Sequence, residues 1–185
     1  MEFIFGMLFV LWLAFVILRW GNSLLELFPK EEIWGEGGIY LTRYTLLHLG
    51  RRFVRLKLHR FHRADEDPEP HNHPWQFGLS LILKGGYTEE VWDPTTASFR
   101  VLTHMPGEFN FIRHQTYHRV THLHAEEVWT LFLTGPLVSS WGFLDLKTKM
   151  HVPWKQFIKA KGLTPNDEVE DARREGPAEA QDADG

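Results

Sequence analysis

His71-Asn72-His73-Pro74-Trp75 is the stretch from which the rest of this chain is read. Side chains alternate across an extended strand, so two histidines two residues apart present both imidazoles to one face. A third histidine aimed at that face from another strand would complete a facial set of neutral imidazoles. His118, within Phe111-Ile112-Arg113-His114-Gln115-Thr116-Tyr117-His118-Arg119-Val120, is the expected third. Imidazole suits zinc, iron, copper and nickel, so the constellation reads as a metal site. An isolated H-x-H is equally a pair of surface or hydrogen-bonded histidines, and its surroundings decide between the two. Prolines at 68, 70 and 74 each fix their own φ and bias the residue before them away from helix, which holds the segment extended.

Outward from this segment the chain reads as many short strands. Val54, Leu56 and Leu58 alternate with Arg55, Lys57 and His59, the period of a half-buried strand. Leu79–Leu83 reads as a buried strand, Gly85-Gly86 as a hairpin signal, and Tyr87–Trp92 as the returning strand. Phe99–Thr103, Phe109–Ile112, His118–Leu123, Val128–Thr134 and Ser140–Leu144 follow, most of them separated by turn residues such as Pro106-Gly107 and Gly135-Pro136. Short strands at near-regular spacing predict an all-β sandwich or barrel, here over residues 39–162. A short helix is expected over Trp154–Lys161, with Pro153 in its first turn. His114, His118 and His122 lie four apart and would align on a helix, but the β-leaning residues around them favour strand.

At 185 residues there is material for one domain, and 43% hydrophobic content with 14 Phe and 8 Trp suffices for a packed core. Cysteine is absent, which excludes disulfides, thiolate ligands and a cysteine nucleophile. The net charge of −4 conceals an acidic tail. From Thr164 onward eight acidic residues face two basic ones, leaving +2 for the remainder, and the expectation for residues 163–185 is disorder. At the other end, Phe3–Leu18 is a nearly unbroken apolar run, close to the ~20 residues that a membrane span needs. Residues 1–20 are therefore expected to form a hydrophobic transmembrane helix. Arg and Lys on its C-terminal side predict a single-pass placement with the barrel in the cytoplasm; a helix buried in a homodimer is the alternative. Residues 21–38, with Pro29 and the Gly35-Glu36-Gly37-Gly38 cluster, read as a connector.

Between Ile39 and Ala64 there are seven Arg or Lys and no Asp or Glu, a stretch suited to an anionic small molecule, to acidic lipid headgroups, or simply to a solvated basic face. Arg55, Lys57 and Arg60 are the residues placed to clamp an anion. His59 shares a strand face with Arg55 and Lys57 and is a candidate to support the site, whereas His122 and His124 read as solvated at a strand end. If Tyr87 and Glu89 face inward, Glu89 is a late carboxylate ligand or a general base; otherwise it lies on a solvated outer face. No nucleic-acid partner is expected.

Two motifs together resemble the cupins, double-stranded β-helix barrels of jelly-roll type. His71-x-His73 followed by Gly85 is similar to their first motif, and Pro106-Gly107-Glu108 … His118-Arg119-Val120 to their second. The match spans about Arg55 to Phe143. Two positions depart from it. The usual glutamate ligand, four residues beyond the second histidine, falls on Gly78, and the asparagine that often follows the last histidine falls on His122. Three histidines with no carboxylate are similar to the thiol dioxygenases, and that resemblance implies Fe(II), oxygen and a thiol substrate. Their hydrogen-bonded Ser-His-Tyr set has no counterpart on the late strand Val128-Trp129-Thr130-Leu131-Phe132.

Chemically, three neutral imidazoles leave a divalent ion its full charge, which strengthens it as a Lewis acid and attracts anions. Gly78 would leave room beside the ion. The expectation is a mononuclear divalent metal on His71, His73 and His118, Fe(II) favoured over Zn(II) or Mn(II), in an Fe(II) oxygenase acting on a small anionic substrate. A non-catalytic ligand- or metal-sensing module, and a metal-dependent isomerase or hydrolase, remain as alternatives.

Overall fold

The computed structural model describes residues 25–35, 37–49, 54–65 and 67–162. Among them, strands follow in the order β1 (Lys30–Gly35), β2 (Gly38–His48), β3 (Arg55–Phe61), β4 (Phe77–Lys84), β5 (Tyr87–Asp93) and β6 (Ser98–His104), then β7 (Phe109–Arg113), β8 (His118–Leu123), β9 (Val128–Thr134), β10 (Gly142–Leu144) and β11 (His151–Pro153). Helix α1 (Trp154–Ala160) closes the series. The architecture is mainly β, as the strand periodicity predicts. Two strand expectations, Val128–Thr134 and His118–Leu123, match β9 and β8 at both ends.

One sheet has the order β1-β2-β3-β9-β4-β7, all neighbours antiparallel. The facing layer is assembled from β6-β5-β8 and β10-β11. Its two parts are joined by His71, which bridges His118 of β8 on one side and Phe143 of β10 on the other. The turns behave as their glycines require. Gly85 (φ 82°) and Gly86 (φ 147°) reverse the chain between β4 and β5, and a Cβ on Gly85 would lie 2.8 Å from the Glu127 carbonyl oxygen.

The core divides into two clusters. Ile82, Tyr87, Val120 and Val128 pack between the two sheets, with Phe61 and Leu123 against them. Leu25, Tyr44, Leu58 and Trp129 form the second cluster, supported by Phe28, Leu46 and Leu83. It lies on the other face of the large sheet. That second cluster inverts the ordinary reading of β3. Its apolar residues Leu56 and Leu58 are buried, but Arg55, Lys57, His59 and Phe61 line the cavity between the sheets. The period identified the strand correctly, while the inward face is the polar one.

Several expectations are revised. The connector carries the six-residue strand β1, paired to β2 in register from Lys30↔Tyr44 to Gly35↔Gly38. Pro153 is the residue capping α1 (φ −53°, ψ 138°) rather than a member of its first turn. The single-pass membrane placement with a cytoplasmic barrel is corrected: among the described residues no helix is long and apolar enough to cross a membrane. The apolar run Phe3–Leu18 and the acidic tail from residue 163 lie outside the described residues.

Candidate metal centre

The segment carrying His71 and His73 is extended but is not a ladder strand; isolated contacts hold it in place. His71 N–H donates to the His118 carbonyl at 2.9 Å, and His118 N–H returns the bond to His71 at 3.0 Å. This reciprocal pair sets the two residues directly opposite each other. On the other side, Asn72 N–H donates to Gly142 O at 3.0 Å, and Gly142 N–H donates to Asn72 Oδ1 at 2.8 Å. Asn72 therefore anchors the segment while the histidines flanking it turn to the cavity.

One ring nitrogen from each of His71, His73 and His118 falls within 4.8 Å of the other two. The closest pair is His73 Nε2 and His118 Nε2, at 2.8 Å. Ligands ~2.0–2.1 Å from one ion, at right to tetrahedral angles, sit about 3 Å apart, so this donor set fits a divalent metal. Burial pushes His71 down to about 4, and burial followed by the neighbouring His71 and His118 holds His73 well below its ordinary 6.5. Both are thus neutral at physiological pH, the form that ligates.

Glu89 is inward-facing and only 1% exposed, so the outer-face alternative is excluded. Neither is it one of the clustered donors. Its Oε2 accepts from His118 Nδ1 at 2.7 Å, and its Oε1 accepts from His104 Nε2 at 3.0 Å and Asn110 Nδ2 at 2.9 Å. Burial pushes the Glu89 carboxyl up, but hydrogen bonds from His104 and His118 more than offset it and hold it down to about 2. A carboxylate behind a histidine fixes the ring's tautomer: the proton stays on Nδ1, and the Nε2 lone pair faces the cluster.

Trp75 stacks on His73 with centroids 3.9 Å apart and 15° between planes, and its other side meets Phe132 edge-on at 5.2 Å. Gly78 makes this possible. A Cβ there would lie 2.8 Å from Phe132 Cζ and 2.9 Å from Trp75 Cζ3, so the space the sequence suggested beside the ion is filled by aromatic rings.

Across a cavity of about 120 Å³ stands a basic wall. Arg55 and Lys57 of β3 and Arg43 of β2 line it, and among the described residues no acidic one does. Arg43 pairs directly with His59 across β2 and β3. Burial lowers Lys57 first of all, with repulsion from Arg43 and, less, from Arg55 added against the pull of Glu31. Arg60 is not in this wall. It is on the opposite face of β3, where its Nε donates to Glu127 Oε2 at 2.5 Å and its guanidinium lies 5.4 Å from the Trp129 ring centroid. Of the residues foreseen, His71, His73, His118, Arg55, Lys57 and His59 come together and Arg60 does not. His122 and His124 are exposed at the end of β8, as expected. Arg43, Trp75, His104 and Asn110 were missed. A basic residue early in β2 was visible, but its meeting with His59 depends on a strand register that the sequence does not spell out.

No protein-family model matches the chain, and no curated protein matches it in sequence. Its structural neighbours are cupin-fold proteins, and the three-histidine cluster fits a cupin metal site. The oxalate decarboxylase of Lactobacillus farciminis, solved as a formate complex, aligns at a TM-score of 0.51 with 12% identity, covering 81% of this chain and 39% of that one. Hydroxypropylphosphonic acid epoxidase from S. wedmorenis aligns at 0.43 with 12% identity over 57% of this chain and 55% of that one. A putative mannose-6-phosphate isomerase from Ralstonia eutropha aligns at 0.43 with 17% identity, over 57% and 92%. The chain spans about half or less of the first two. At 12% identity the likeness to the oxalate decarboxylase bears on the fold alone.

Proposed function

We propose that His71, His73 and His118 hold one divalent metal and that the chain acts as a metal-dependent enzyme on a small anionic substrate. One observation carries this reading: three converging imidazoles face, across one cavity, a wall of cations with no acidic lining residue among the described residues. When bound, the metal supplies Lewis acidity and open coordination positions, and an all-imidazole donor set leaves its positive charge undiminished. Fe(II) is favoured, with Zn(II) and Mn(II) as the alternatives, and oxygenation is the first reaction to test.

The protein's own groups have separable tasks. Glu89 keeps the proton on His118 Nδ1, so Nε2 is available. With His118, His104 and Asn110 all on its oxygens, Glu89 serves as a positioning residue and not as a general base. Trp75 fixes the plane of His73 and, with Phe132, excludes water from one side of the cluster. Arg55 and Lys57 hold the substrate's charged end so that its other end meets the imidazoles. Strand β9 contributes Thr130, Phe132 and Thr134 to the cavity, with no His or Tyr, so thiols are one class of substrate to test among other small anions.

The test is oxygen uptake by the full chain loaded with Fe(II), across small thiols and other anions, beside Zn(II) as an inert control. Substrate-dependent uptake above that of the metal-free protein supports the proposal. Uptake that never exceeds it, while a small anion still raises the melting temperature, replaces the enzyme with a binding module.

A further inference from the structure

Six buried side-chain polar atoms lack a hydrogen-bond partner among the described residues, and five of them belong to one wall: Arg43 Nε, Arg55 Nε, His59 Nε2, Thr130 Oγ1 and Thr134 Oγ1. All five residues line the cavity. They are also neighbours by register, since His59 pairs with Arg43 and Thr130, and Arg55 pairs with Thr134. Folded proteins leave few buried polar groups unpaired, so a cluster of them around a cavity marks the place of a polar ligand. Most of these atoms are donors or hydroxyls, and the charged groups among them are cations, so that ligand is an anion.

Its charge follows from the surroundings. Among the described residues, Arg43, Arg55 and Lys57 are opposed by a single carboxylate, Glu31 at the rim, which lies 3.7 Å from Arg43 Nη1 and 3.5 Å from Lys57 Nζ. Three cations against one carboxylate leave two positive charges uncompensated, and a monoanion would neutralise only one. The donors line one cavity of about 120 Å³ from the adjacent strands β2, β3 and β9, room that suits a single compact head group with several oxygens better than two separated carboxylates. Arginine forks match such oxyanions two bonds at a time.

We infer that Arg43, Arg55 and Lys57, with His59, Thr130 and Thr134, form a subsite for a doubly charged tetrahedral oxyanion, the phosphate-monoester or phosphonate end of a small substrate. The subsite rests on the reading of this cavity as the substrate site, and it names the end of the substrate that does not react. It holds that end on the large sheet while the remainder of the molecule extends towards His71, His73 and His118 on the facing layer.

Methyl phosphate is the probe, titrated calorimetrically into the full chain at about pH 8, where a phosphate monoester carries close to two charges. Acetate and malonate are the comparators, and each titration is run on metal-loaded and on chelator-treated protein. Methyl phosphate is expected to bind both forms, at least about tenfold more tightly than either carboxylate, and to weaken by about tenfold or more in Arg55→Gln and Arg43→Gln. Arg60→Gln, on the other face of the strand, should bind as wild type. If the arginine variants do not fold, Lys57→Met and the wild-type comparison of the three anions still decide the matter. Equal binding of acetate overturns the dianion assignment, and equal binding of malonate, itself a dianion at this pH, overturns the single tetrahedral head group. Binding that requires metal and ignores Arg55→Gln and Lys57→Met places the anion on the metal and overturns the subsite. Loss of metal binding with methyl phosphate binding intact counts against the metal reading alone.

Discussion

Replacing Glu89 by Gln changes little in shape, yet it should cost this site most of its metal affinity through a proton. Three donors point at the carboxylate: His104 Nε2 and Asn110 Nδ2 at Oε1, and His118 Nδ1 at Oε2. A glutamine has one acceptor end and one donor end. With its oxygen at the Oε1 position it keeps two of the three bonds, but its NH2 then faces His118 Nδ1. Two donors cannot share that contact, so His118 must move its proton to Nε2 and present an N–H where the metal needs a lone pair. The opposite amide orientation preserves the tautomer but sets the NH2 against both His104 and Asn110, in a place almost without access to water. Losing such a carboxylate partner typically weakens metal binding 10–100-fold, about 1.4–2.8 kcal/mol. Competition for Zn(II) against a chelating dye at neutral pH measures it, and Glu89→Asp, which keeps the acceptor character, should lie between wild type and Gln. A folded Glu89→Gln protein with wild-type zinc affinity refutes the argument.

Other substitutions separate the parts of the site. His71→Ala, His73→Ala and His118→Ala should each lose bound metal by elemental analysis, whereas His62→Ala, bonded to Thr42 Oγ1 at 2.9 Å, and His151→Ala, bonded to Tyr117 Oη at 2.8 Å, should keep it. Gly78→Ala should lower the melting temperature by the equivalent of ~1–3 kcal/mol, because its Cβ meets two aromatic ring ends, and unchanged stability would contradict the packing. Burial, then Arg43 and Lys57, hold His59 well below 6.5. The unfolded chain therefore takes a proton there that the folded one refuses, and stability falls as pH drops below 6.5, by up to ~1.4 kcal/mol per pH unit. In urea titrations between about pH 7.5 and 5.5, His59→Phe should show a shallower fall than wild type, and parallel slopes would count against it.

Much of the site was legible because metal chemistry restricts the residue types that can serve. H-x-H in a proline-stiffened segment, with a third histidine after Pro106-Gly107, names the three imidazoles that the fold brings together. Glu89 was recognised as a group that matters only if it faced inward. Which side it took depended on β5 lying between β6 and β8, where Glu89 pairs with Leu102 and Val120. Gly78 marked correctly a position without a carboxylate ligand, but not the reason the space is closed: Trp75 and Phe132 come from a loop and from a strand more than fifty residues later.

The misplacement of Arg60 shows where a binary pattern stops being informative. Alternation in Arg55-Leu56-Lys57-Leu58-His59-Arg60 identifies a strand with two unlike faces, and the usual assumption is that leucines face the interior. Here both faces are covered. Leu58 is fully buried against Leu25, Tyr44 and Trp129 on one side, while Arg55, Lys57 and His59 border the cavity on the other. Since side chains alternate, the residue after His59 must join the leucines, and Arg60 is carried out of the cavity to Glu127. A wall of cations inside a barrel opposes folding through desolvation and mutual repulsion. Apolar packing on the far side of the same sheet stabilises those strands without filling the cavity. The leucines thus hold the strand in place, and the polar face is left on the cavity.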